Sequence, residues 1–296
     1  MIDKAEDLQK VTEGFGVFGN YSTTAGTTPT YGDNLFKNEQ VTYSNSNTTS
    51  TKWAYKNTKY WPTEGHIDFL AYAPFDNSKT LSGTKIDFTV NPTFTEQKDL
   101  LWANAANRTM KDNPVKFTFN HALSRLGYSV KLKDAYSDAT ITLKTITLAG
   151  SDDATKTAFY TEGTIDLSKE TKAADLWKIP TPANKQNFEW FSGEKQLSKT
   201  DATENSNKGY LFVIPQDFSQ TTGADELYVI VEYTISYSGV TTIMKSKVCK
   251  KLDRKFLQGK AYTINLTIGL TPIEFNADVT EWEIPTDGAI DINTWE

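Results

Sequence analysis

Two histidines (His66 and His121), a single cysteine (Cys249) and 37 carboxylate side chains are the groups from which this 296-residue chain could build catalysis or metal binding. Two histidines cannot supply a three-histidine zinc set. One cysteine excludes both an internal disulfide and a thiolate cluster. A Ser-His-Asp triad would need a nucleophile, and the Gly-x-Ser-x-Gly elbow that often presents one is absent. No phosphate-binding Gly-rich loop leads into a helix. Asp152, Asp153, Asp278 and Glu281 lack the spacing of a calcium loop and read as solvated charge. Glycoside hydrolysis asks only for two carboxylates roughly 5–10 Å apart, which a sequence does not decide. His121 follows Phe117 and Phe119 at strand spacing, the setting of a hydrogen-bonded core histidine. Cys249 follows the strand-like run from Val240 to Val248 and reads as a buried, inert thiol. No catalytic, cofactor-binding or metal-binding residue is assigned.

Binding chemistry has other candidates. Seven tryptophans stand at 53, 61, 102, 177, 190, 282 and 295. Most read as core plugs or strand-end anchors. Trp177 and Trp190 fall in a polar, irregular region from Leu167 to Asn207, so they form the candidate exposed aromatic site, suited to stacking on sugars. A net charge of −6, with only three arginines (Arg108, Arg125, Arg254), argues against a nucleic-acid partner. Asn-x-Ser/Thr sequons at Asn20, Asn47, Asn107 and Asn265 are the chance product of a Thr-rich chain.

The elements that would position such groups are strands. Tyr60-Trp61-Pro62 leads through Gly65 into His66–Pro74, where Ile67, Phe69, Ala71 and Ala73 share one face and His66, Asp68, Leu70 and Tyr72 the other. Phe15–Tyr21 and Ile86–Val90 are further strands, Asp99–Ala103 is a short one, and Tyr43–Lys52 is a loop or hairpin tip. Ala103–Asn113 reads as a loop or helical turn. Val115, Phe117 and Phe119 are apolar at odd positions, whereas Leu126, Tyr128, Val130 and Leu132 are apolar at even ones. A one-residue shift exchanges the faces of a strand, so the chain bulges or leaves one core for another near His121–Arg125. Downstream, Ile141 and Leu143 open a strand. Val229–Tyr237 alternates, Ser238-Gly239 predicts a tight hairpin turn into Val240–Met244, and Tyr262–Leu270 gives the cleanest alternation. A short helix is expected near Ala173–Lys178. Many short strands and few helical patterns predict an all-β chain of two β-sandwiches, residues 1–125 and 126–296.

Several blocks, in order, resemble the fimbrillin family of Bacteroidetes, the Mfa-like and FimA-like pilin and lipoprotein subunits. They are Gly14–Gly19, Tyr60-Trp61-Pro62 with Ile67–Pro74, Asp99–Leu101, Phe117–Leu126, Ile214-Pro215-Gln216, Gly259–Thr267 and Val279–Trp282. The resemblance implies two transthyretin-like Greek-key sandwiches in tandem and a structural or adhesive fimbrial subunit at the cell surface, a non-enzyme. It implies export as a lipoprotein anchored to the outer membrane. It further implies assembly with other subunits, self or accessory, by strand donation, a form of β-augmentation. Within a C-terminal extended segment 287–296, Ala289–Glu296 is the candidate donor strand, with Ala289, Ile290, Ile292 and Trp295 as candidate donor residues; a last edge strand or plain tail is the other reading. A surface lipoprotein binding host or bacterial glycans or proteins through loop aromatics is the alternative. No export signal or lipidation cysteine is present near residue 1. A maturation product and a trimmed fragment both fit that observation.

Overall fold

The structure is a computed structural model that describes residues 2, 4–24, 35–171, 173–206, 209–219 and 225–270, together with the backbone of 275–281. The regular secondary structure of the described residues is almost all strand, with one four-residue helix, Ala5–Leu8, and two short 3-10 turns. The all-β expectation is met. The chain divides into two compact units, one of residues 1–89, 98–122 and 162–181, the other of 90–97, 123–161 and 182–296. The expected single cut at 125 therefore differs from this division at two inserted segments, 90–97 and 162–181.

The first unit is built on a six-stranded sheet. Phe15–Ser22 lies between Phe36–Tyr43 and His66–Ala73, and the latter pairs in turn with Leu101–Arg108. All eight residues of His66–Ala73 are buried, because both faces of this sheet are covered. On one face Phe15, Val17, Phe69, Ala71, Leu101 and Ala103 form a continuous apolar layer. On the opposite face, the Trp102 indole and the Asn104 amide donate to backbone carbonyls of Leu167 and Lys169. That contact explains why 162–181 belongs here. Glu162–Asp166 pairs with Lys85–Thr89, with Ile165 opposite Ile86, and Trp177–Lys178 extends the same small sheet. The helix expected at Ala173–Lys178 is not formed. Single turns close from Ala173 to Glu170 and from Leu176 to Ala173, after which Trp177 joins the sheet. The segment Ala103–Asn113, expected as a loop or helical turn, is strand as far as Arg108, because Phe69, Ala71 and Ile67 of the neighbouring strand offer it a ladder, and then carries a helical turn at Met110–Asp112.

In the second unit, Phe188–Gln196, Ala139–Ala149, Tyr228–Tyr237 and Met244–Lys251 form an antiparallel sheet. Val229, Val231 and Tyr233 point inward and are almost wholly buried. A second sheet sets Ser124–Leu132 parallel to Ala261–Ile268, with Phe275–Glu281 antiparallel beyond it. Tyr262, Ile264, Leu266 and Ile268 all face the core, as their alternation predicts.

The tight turn after Tyr237 is present, with the Val240 N–H donated to the Tyr237 carbonyl, and Gly239 takes a φ of +78°. Strand pairing does not resume at Val240, however. It resumes at Met244, opposite Ile235. Ser236 and Tyr237 are held instead by Thr140 and Ala139 on the other side. Val240–Ile243 is left as an exposed tip.

Candidate functional site

Neither histidine stands in a reactive setting. His66 Nε2 lies 3.0 Å from Asp68 Oδ2, both side chains being buried, but the pair is not aligned as a hydrogen bond. The other oxygen of Asp68 accepts the Asn107 N–H at 2.7 Å. These groups close the end of the sheet beside the Asn20 and Ser22 positions of the adjacent strand. His121 Nδ1 lies 2.5 Å from Asp99 Oδ2, the hydrogen-bonded arrangement expected for it. Among the described residues no group of three or more His, Cys, Asp or Glu is arranged to hold a metal ion. Cys249 is half-buried rather than fully buried, because its strand is the edge of its sheet. Burial raises its thiol pKa, which suppresses the reactive thiolate.

The candidate aromatic pair is not one site. Trp190 is 2% exposed, donates its indole N–H to the Gly209 carbonyl at 2.7 Å and packs edge-on against Tyr128. It is a core residue, and its assignment to an exposed site is corrected. Its strand, Phe188–Gln196, turns one face to the interior of the second unit, a pairing that polar composition concealed. Trp177 is half-buried in the first unit, its indole bonded to the Ala122 carbonyl at 2.9 Å and its ring edge-on to Phe88. A polar cavity of about 430 Å³ in the second unit is lined by Thr155, Lys156, Lys185, Asp225 and Glu226 and contains no tryptophan. Asp225 is engaged there by Lys185 and Gln216, which leaves the pocket internally paired. Ala289, Ile290, Ile292 and Trp295 lie outside the described residues.

The feature that does stand apart is 115–119, Val-Lys-Phe-Thr-Phe. Its alternation is that of a strand, and its burial alternates too: Val115, Phe117 and Phe119 are half-buried, Lys116 and Thr118 exposed. Phe119 packs edge-on against Phe15, with ring centres 5.3 Å apart, and Phe117 meets both Phe15 and Phe69. Edge-to-face pairs of this kind contribute about 0.5–1.5 kcal/mol each beyond area burial. Trp53, Tyr55 and Trp61 cover the same apolar layer, also half-buried. Yet among the described residues 115–119 enters no ladder and makes no backbone–backbone hydrogen bond. Its side chains are docked while its main chain has no strand beside it among the described residues. Sequence alone shows the alternation, but the missing partner is visible only in three dimensions.

A fimbrillin-like family model matches residues 5–282. A search of curated proteins found no match. Among solved structures, one from Bacteroides uniformis, proposed to act in cell adhesion, is similar at 18% identity and a TM-score of 0.48, with 92% of each chain covered. A fimbrilin of Porphyromonas gingivalis is similar at 8% identity and a TM-score of 0.43, covering 91% of this chain and 90% of that one. The fimbrial anchor protein Mfa2 of the same organism is similar at 8% identity and a TM-score of 0.32, covering 94% and 90%.

Proposed function

The chain belongs to the fimbrillin-like family, a family of fimbrial and adhesive surface subunits, and from that premise we propose that it joins other subunits by strand complementation at residues 115–119. An extended segment from a neighbouring subunit lies beside Val115–Phe119 and supplies the absent ladder. Main-chain hydrogen bonds give the grip, and alternate side chains of the donor meet the aromatic layer of Phe117, Phe119, Trp53 and Trp61. The donor in this reading is residues 287–296, presenting Ala289, Ile290, Ile292 and Trp295. The precursor is held at the outer membrane by a lipid before it assembles. The observation that supports the reading is the docked but unladdered strand at 115–119.

Hydrogen exchange tests it. In the isolated protein the amides of Lys116–Phe119 should exchange fast, while those of His66–Ala73 stay protected. Adding a synthetic peptide of residues 287–296 should slow exchange at 116–119. A peptide in which Ile290 and Ile292 are replaced by Asp should not. Unchanged exchange at 116–119, with saturating wild-type peptide, would refute the pairing.

A further inference from the structure

Four of the seven large hydrophobic side chains exposed among the described residues sit within eight positions of one hairpin: Tyr237 at 37%, Val240 at 53%, Ile243 at 61% and Met244 at 42%. Scattered singly, such residues need no explanation, but gathered at one tip they mark a contact surface. The tip protrudes, since a methyl group added at Gly239 would meet no atom within 4 Å. Its charge is one-sided in an acidic chain. From Tyr233 to Leu252 there is no Asp or Glu, and there are four lysines, Lys245, Lys247, Lys250 and Lys251. Lys251 is paired with Glu226 and Asp253. Lys245 and Lys247 form no ion pair among the described residues. Lysines alone could be read as guards of the free edge of Met244–Lys251. The apolar tip has no such reading.

We propose that this hairpin inserts into the interface of a lipid bilayer bearing anionic headgroups. The order of residues along it matches the layers of that interface. Val240 and Ile243 lead, Met244 and the amphipathic Tyr237 follow, and at about 3.3 Å per residue Lys247 stands roughly 10 Å behind Met244. An interfacial element buries its apolar part roughly 5–10 Å deep, which sets the ammonium groups at the phosphates. A convex tip carrying Val, Ile and Met, but no fixed hydrogen-bonding array, suits a fluid surface better than a shaped protein pocket. The nearby acids are Asp138, whose carbonyl accepts the Ser238 N–H, and Glu232, which is opposite Lys247 and accepts the Thr145 hydroxyl. Asp138 stands level with Ser238 at the turn, and Glu232 lies behind the apolar tip. The inference is independent of strand pairing at 115–119.

The test is flotation of the purified chain with vesicles of phosphatidylcholine alone or mixed with phosphatidylglycerol. The protein should float with the mixed vesicles. Val240→Ser with Ile243→Ser should weaken binding about a hundredfold, tenfold for each apolar side chain no longer buried. Lys245→Gln with Lys247→Gln should weaken it about 25-fold on mixed vesicles and leave any binding to neutral ones unchanged. All four positions are exposed, so thermal unfolding should be unaltered and a folding defect would be visible separately. Absence of flotation overturns the proposal, as does flotation that ignores the double serine variant. Concentration-dependent self-association abolished by the serine variant, with no flotation, would assign the tip to a second copy of the chain instead and also overturn the lipid assignment.

Discussion

The Tyr72 phenol lies 2.8 Å from Oδ1 of Asn38, and both side chains also reach the Asp76 carbonyl, at 2.7 and 2.9 Å respectively. The Tyr72 oxygen accepts the Asp76 N–H as well. One buried hydroxyl thus ties the end of the central strand to its neighbour two positions away in the sheet and to the turn that follows Pro74. Tyr72→Phe should cost about 1–3 kcal/mol, since it leaves the Asn38 oxygen and the Asp76 amide short of a partner. Chemical denaturation of both proteins measures this. A loss near zero would show that water replaces the hydroxyl.

Burial pushes the Tyr72 phenol up to about 12. The unfolded chain releases that proton near the ordinary value of 10.0, so between about 10 and 12 the folded state holds a proton the unfolded state has lost. Stability contributed by this group is complete below pH 10 and falls as pH rises through that window. Tyr72→Phe should flatten this part of the alkaline stability curve, which thermal melts across the window would reveal.

Gly16 faces Tyr72 across the sheet. A Cβ there would sit 2.7 Å from the Asn38 oxygen and closer still to the Tyr72 ring. Gly16→Ala should destabilise by about 1–3 kcal/mol through overpacking. In the double variant with Tyr72→Phe the penalty should persist, because the ring rather than the hydroxyl is the obstacle. Melting temperatures of the single and double variants decide this.

The Lys98 ammonium beside Glu13, at 2.7 Å, holds the Glu13 carboxyl down at about 2. Its contribution is present above the ordinary value of 4.5 and is lost as pH falls toward 2. Both groups are substantially exposed, so the effect is small and should vanish in high salt. Lys98→Met should reduce the acid dependence of stability between these values in low salt only, as melts at matched pH would show.

Trp190→Ala should cost about 3–5 kcal/mol, as for other large buried aromatics. Trp177→Ala should cost less, because the residue is only partly buried. The intrinsic fluorescence lost with Trp190 should be blue-shifted relative to that lost with Trp177. Equal emission from the two would contradict their different burial.

Much of the fold was legible because period-two patterns are strong where one face meets a core. Tyr262–Ile268 and Val229–Ile235 are examples, as is the exchange of phase between Phe119 and Leu126, where the chain leaves one unit at Ala122 and enters the other at Leu123. What failed did so for physical reasons. Phe188–Gln196 exposes Glu189, Glu194 and Lys195, which hid a strand that buries Trp190 and Phe188. Trp177 sits where helix-favouring residues precede it, but backbone pairing with Ile165 overrides propensity. Val115–Phe119 was legible as a strand, whereas its lack of a ladder among the described residues was not, since a pattern reports faces and says nothing of edges.

The return of 162–181 to the first unit governs when that unit can exist during synthesis. The chain passes between units after Thr89, Gln97, Ala122, Thr161 and Thr181. The strand Glu162–Asp166, together with the carbonyls of Leu167 and Lys169 that satisfy Asn104 and Trp102, is made long after the six-stranded sheet it covers. A nascent chain that ends at residue 125 therefore holds Leu70, Tyr72 and Trp102 without their lid. Ribosome-stalled lengths on either side of residue 181 should differ sharply in protease resistance of the His66–Ala73 strand, and the longer nascent chain should be the first to shed a holding chaperone.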